Sequence, residues 1–132
     1  MKRLIVLILP LLVSCATYDT AMVTGFDGGE YQIVTEIGLD AQRYQKQCGT
    51  PTAAANADSL TYKSELFVRY SQGIPHNDDM IQASKSLNEI VQGLNDRYKD
   101  PTPVPKLFCE LKYTSIENAA GIIQHVIGNR PR

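Results

Sequence analysis

The clearest hydrophobic period lies in the second half of the chain. Met80, Ala83, Leu87, Ile90, Val91, Leu94 and Tyr98 recur at intervals of three and four, the repeat of one helix face. Asn77 stands where a cap belongs, with Asp78 and Asp79 against the positive end of the helix dipole. This helix is expected to reach about Lys99. An earlier run, Ile33, Val34, Ile37, Ala41, Tyr44 and Cys48, predicts another helix behind Asp27 and Glu30. Those two acids are spaced as in a capping box with Asp as the cap. Gly49 and Pro51 stop that helix.

Between them a helix is predicted from Thr52 or Ala53 to Ser71. Leu60, Phe67 and Ser71 mark its stripe, and Tyr62, Leu66 and Arg69 lie beside it. Ala53, Ala54 and Ala55 favour helix by propensity alone. Its apolar face is weaker, which predicts greater exposure. Gly73-Ile74-Pro75-His76-Asn77 is a turn, because the residue before proline is biased away from helix. Pro101, Pro103 and Pro105 make a rigid connector. A last helix starts near Pro105, at a first-turn position. Cys109, Tyr113, Ile116, Ala120, Ile123 and Ile127 share a face, and Leu107, Leu111, Ile122 and Val126 are expected to widen it. Gly128 ends the helix. Asn129-Arg130-Pro131-Arg132 is expected to be a frayed, solvated tail.

Four helices with short connections prefer antiparallel neighbours. The expected fold is all-α, an antiparallel four-helix bundle over 27–128. Cys48 closes the first helix and Cys109 opens the fourth, so an up-down-up-down order brings both to one end. A Cys48–Cys109 disulfide is therefore expected, a staple suited to a small domain.

The N-terminus has a different pattern. Lys2 and Arg3 precede an apolar run from Leu4 to Val13, about ten residues and roughly half of a bilayer-spanning helix. A charged head, an apolar stretch and small residues near a cleavage point make a secretory signal. Leu12-Val13-Ser14-Cys15 resembles the lipobox of bacterial lipoproteins. The resemblance implies cleavage before Cys15, diacylation of its thiol and acylation of the new amine by chains such as palmitate. Three acyl chains, at ~0.8 kcal/mol per buried methylene, hold far beyond the margin of a single chain. The alternative is a secreted protein with a chance cysteine after its signal. Ala16 is unlike the Asp of an inner-membrane retention signal, so the expected site is the periplasmic face of the outer membrane. The chain then divides into signal peptide 1–14, lipidated cysteine and tether 15–26, helical domain 27–128 and tail 129–132. Phe26 marks where the tether is expected to join the fold.

Composition narrows the function. The 132 residues suit one domain. Removing Lys2 and Arg3 takes the formal net charge from −1 to −3, and no basic stripe exists, which argues against a nucleic-acid partner. With Cys15 assigned to lipid, Cys48 and Cys109 are an even pair in an oxidising compartment. His76 and His125 offer no ligand spacing near them, so no metal and no cofactor is expected. Asp78-Asp79 reads as a solvated helix start rather than a cation site. Glu110 and Glu117 read as surface, and no motif presents a nucleophile, so no enzymatic activity is expected. Most tyrosines fall on helical stripes as core or boundary residues. An anchored helical domain of this kind acts by offering a groove to an amphipathic partner. The groove is expected between the first and third helices, with Ile33, Ile37, Tyr44, Leu87, Val91 and Leu94 as its candidate lining.

The plan of lipobox, short tether, four helices and two cysteines is similar to that of the small helical pilotin lipoproteins of type II secretion systems. The closest local likeness is Ala41-Gln42-Arg43-Tyr44-Gln45-Lys46-Gln47-Cys48, with Cys109 after a proline-containing connector. The resemblance implies a comparable disulfide and binding of a C-terminal secretin segment that is escorted to the outer membrane. The same size and anchor also suit an accessory lipoprotein of a phage or mobile element, acting in superinfection exclusion or as a lysis partner. A structural envelope lipoprotein is the third reading.

Overall fold

A computed structural model describes residues 24–132. The expected signal peptide 1–14, the expected lipidation site Cys15 and most of the expected tether lie outside the described residues. Four helices follow in order: α1 Gly28–Gln45, α2 Ala53–Gln72, α3 Asp78–Lys99 and α4 Lys106–Gly128. They form an antiparallel bundle in which each packs on its neighbours in sequence and α1 closes the ring against α4. The α1–α4 and α2–α3 pairs are the most intimate. The backbones of diagonal helices do not approach one another.

The predicted stripes supply the core. Val34, Ile37 and Ala41 of α1 are fully buried with Leu60 and Phe67 of α2, Leu87, Val91 and Leu94 of α3, and Ile116 and Ile127 of α4. Full burial of one such side chain contributes about 1.5–3 kcal/mol before ordering costs. Ser64, Ser71 and Ser84 are also buried, each with a hydroxyl hydrogen bond where one is available. The Ser64 hydroxyl donates to Asn88 Oδ1 at 2.7 Å, tying α2 to α3. The disulfide joins Cys48 to Cys109 with 5.8 Å between Cα atoms, across 61 positions of sequence.

Four local expectations need correction. First, α1 ends at Gln45 rather than Cys48. Bonds from Gln47 N–H to Tyr44 O and from Cys48 N–H to Gln45 O tighten the chain into turns. Gly49 then adopts φ 80°, a left-handed conformation that glycine takes without a Cβ penalty. Second, only half of the capping box forms. Asp27 accepts from the Glu30 N–H at 2.8 Å, but the Glu30 side chain turns inward instead of reaching back. Third, Asn77 occupies the cap position of α3 without capping through its side chain. Its Nδ2 donates to Glu30 Oε1 and to Ser71 O, which turns the amide toward α1 and α2 and leaves Oδ1 off the α3 N–H groups. Fourth, Pro105 precedes α4 as its flanking residue, outside the first turn.

The tail is docked rather than frayed. Phe26 N–H donates to Pro131 O at 2.8 Å, and the Arg132 guanidinium lies 4.8 Å from the centre of the Phe26 ring. Phe26 is partly buried against the core. Both ends of the domain therefore meet beside the start of α1.

Candidate functional site

The groove expected between the first and third helices is absent. α1 and α3 stand on opposite corners of the bundle, so no surface runs between them. Ile37, Tyr44, Leu87, Val91 and Leu94 are core residues, and Ile33 is partly buried against them. Their helical spacing was a core signal, because in a four-helix ring the inward stripes of diagonal helices point at each other.

The open apolar surface lies elsewhere, between α1 and α4. A shallow furrow of about 710 Å³ is lined by Leu39, Ile122 and Val126, with Gly38 and Gly121 beside them. Leu39 and Ile122 are more than 60% exposed. Gly121 has open space where a Cβ would stand. The polar rim includes Glu117, which has no ion-pair partner among the described residues, and His125.

The fourth helix explains the furrow. Leu107, Leu111, Ile122 and Val126 were expected to widen its core face. They instead form a second apolar line, since 107, 111 and 122 fall on the side opposite Cys109, Tyr113, Ile116 and Ile127 at 100° per residue. This helix is apolar on two faces, and only one of them is packed. α2 carries a shorter exposed line, Tyr62, Leu66 and Tyr70.

The other concentrated chemistry is a buried polar knot at the end where the termini meet. Glu30 Oε1 accepts from the Ser71 hydroxyl and from Asn77 Nδ2, each at 2.7 Å. Its Oε2 accepts from Arg130 Nη1 at 3.1 Å, and Arg130 Nη2 reaches Asp79 at 3.1 Å. Asp79 thus engages Arg130, and Asn77 Oδ1 is buried without a partner among the described residues. This knot joins α1, α2, the start of α3 and the tail. Apart from Asn77 Oδ1, its donors and acceptors hold elements together, and none presents a nucleophile outward.

At the opposite end, Tyr44 and Tyr113 meet edge to face with ring centres 6.1 Å apart, one turn from each half of the disulfide. Burial raises the Tyr113 hydroxyl well above its ordinary range, with Tyr98 and Tyr44 adding smaller contributions. Tyr31 and Tyr98 are half-buried boundary residues, whereas Tyr62 and Tyr70 are exposed. The hydrogen bond of the Tyr70 hydroxyl to the Asp27 carboxylate, more than its slight burial, raises its pKa. A Cβ at Gly29 would collide with that hydroxyl, so glycine permits the close approach of α2 to the start of α1.

Among the described residues, no three His, Cys, Asp or Glu side chains gather as a metal site. Glu110 faces Lys106 at 3.7 Å, an exposed pair. His125 is exposed beside Asn129, and His76 sits in the α2–α3 turn. No described helix is long and apolar enough to cross a membrane. Comparison with protein-family models, with curated proteins and with solved structures finds no match.

Proposed function

We propose that this protein is a non-catalytic adaptor, pilotin-like in action, held on the periplasmic face of the outer membrane through acylated Cys15. Its helical domain receives an amphipathic helix from an envelope protein. The observation that supports this reading is the open furrow between α1 and α4. Glycine at 38 and 121 keeps the furrow low enough for a second helix backbone to approach. Leu39, Ile122 and Val126 offer apolar contacts for side chains spaced three and four apart, the pattern of helix-in-groove recognition. Glu117 at the rim favours a basic residue beside the partner's apolar stripe.

The test places a photo-crosslinking amino acid at Ile122 in the full chain. The chain is expressed with a secretin subunit that either carries or lacks its C-terminal segment. An adduct that requires that segment is expected, together with loss of outer-membrane fractionation in Cys15→Ala. Acylated, folded protein that gives no segment-dependent adduct would sink the adaptor reading in favour of a structural envelope lipoprotein.

A further inference from the structure

We propose that the exposed face of α2 bearing Tyr62, Leu66 and Tyr70 rests on the lipid surface, so that the α4 face points away from the membrane. This rests on acylation of Cys15, the anchor of the preceding section, and adds an orientation to it.

The first observation is where the anchoring chain joins the domain. The Thr24 hydroxyl donates to His76 O in the α2–α3 turn, six residues beyond Tyr70 in sequence. Asp27, three residues on from Thr24, faces the Tyr70 hydroxyl. The tether therefore leaves the bundle at the C-terminal end of α2. From Cys15 to Thr24 the chain spans at most about 30 Å when fully extended. The bilayer surface is consequently within reach of the corner from which the α2 line begins.

The second observation is the chemistry of that line. Tyr62, Leu66 and Tyr70 are 72%, 42% and 38% exposed and lie four residues apart, along one outer side of α2. Tyrosine has an apolar body and a polar tip, which suits it to the boundary between acyl chains and headgroups. Arg69 lies on the same side by helical phase and has no ion-pair partner among the described residues, leaving it available to lipid phosphate. Asp58 and Glu65 fall at the edge of this face, and Asp58 accepts from Asn95. The α4 line is aliphatic and has no tyrosine, with Glu110 and Glu117 along one edge and Lys112, held over the Phe108 ring, along the other.

The third observation is the ring order. α2 and α4 are diagonal and their backbones do not approach one another, so their outward faces look in opposite directions. A bundle lying on α2 presents the α1–α4 furrow to the periplasm. The two exposed apolar lines then serve different surroundings, one a lipid surface and one a protein helix.

The chain contains no tryptophan, so a single introduced indole reports its own surroundings. Full-length acylated protein carrying Tyr62→Trp, Leu66→Trp or Ile122→Trp is reconstituted into vesicles of phosphatidylethanolamine and phosphatidylglycerol. A matched set contains lipid brominated near the top of the acyl chain. Flotation with the vesicles, lost in Cys15→Ala, checks the anchor separately. The expected result is blue-shifted emission and bromine quenching at positions 62 and 66, with neither at 122. Flotation with unquenched emission at 62 and 66 overturns the orientation while leaving the anchor intact. A blue shift there without quenching assigns the face to a second copy or a protein and also overturns it. Failure of the wild-type chain to float removes the anchor and the orientation together.

Discussion

Arg130 and Glu30, one hundred positions apart, form a buried ion pair with 3.1 Å between Nη1 and Oε2. The Arg130 side chain is 7% exposed and that of Glu30 is inaccessible. Arg130→Ala leaves a carboxylate buried with only two neutral donors. Removal of one partner from a buried pair typically costs about 3–5 kcal/mol. We expect a loss of that order in unfolding free energy, read from urea titration as a lower midpoint, with Glu30→Gln/Arg130→Met recovering part of it. A loss within the range of ordinary surface substitutions would show that water replaces the guanidinium.

Tyr113 gives a prediction in the alkaline range. Its folded-state pKa is raised above the ordinary 10.0 by burial, so the folded protein retains a proton that the unfolded chain releases. The corresponding stability is fully present below about pH 10 and is lost as pH rises through the folded value. Its hydroxyl also lacks a partner among the described residues. Tyr113→Phe should therefore flatten the fall in stability above pH 10 and raise neutral-pH stability by up to about 1 kcal/mol. Denaturant unfolding across that pH range, with absorbance titration of tyrosinate, checks both.

The disulfide closes 61 positions of chain. Restricting the unfolded state over such a loop contributes about 4 kcal/mol in the chain-entropy account. Cys48→Ala/Cys109→Ala should lower unfolding stability by roughly that amount while keeping the helical circular dichroism of the native state. An unchanged midpoint under reducing conditions would contradict it.

His76 adopts φ 58° in the turn between α2 and α3. A left-handed backbone costs an L-residue roughly 1–2 kcal/mol, while glycine adopts it freely. Part of that gain is offset by glycine's greater freedom in the unfolded chain. His76→Gly should raise stability by about 0.5–1 kcal/mol, read as a small upward shift in Tm. A decrease would mean that the histidine ring contributes more than its backbone strain costs.

Core and furrow separate by substitution. Leu87→Ala removes a fully buried side chain and should cost about 2–5 kcal/mol. Ile122→Ser alters an exposed position and should change stability by less than about 0.5 kcal/mol. If the furrow takes a helix, Ile122→Ser weakens partner binding at unchanged Tm. Paired calorimetric and peptide-binding titrations distinguish the two.

The fold was legible because its signals were local. The spacing of Met80, Leu87, Val91 and Leu94 marked α3, and the two cysteines fell at one end once antiparallel order was assumed. The furrow was not legible, for a physical reason. Helical spacing marks a face without saying what covers it, and the ring order decides which faces become interior. Leu87 and Ile122 both belong to apolar lines, yet only tertiary packing buries the first and exposes the second. Phase relative to the core offered one usable signal: Leu107, Leu111 and Ile122 run opposite Cys109 and Ile116. Glu30 was missed because a capping motif explained it by contacts within its own helix. Its partners Ser71, Asn77 and Arg130 lie far along the sequence, beyond any local pattern.

The pairing of α1 with α4 sets a schedule for assembly. Among the described helices, a chain made from its N-terminus produces α1 first and its main packing partner last, with Arg130 and Pro131 after it. Among the described helices, α2 and α3 are the one closely packed pair whose halves appear consecutively. α1 can pack on α2 early, but the side that meets α4 stays uncovered until α4 has emerged. Loss of residues 129–132 would leave α1 without the fastening that Arg130 makes on Glu30.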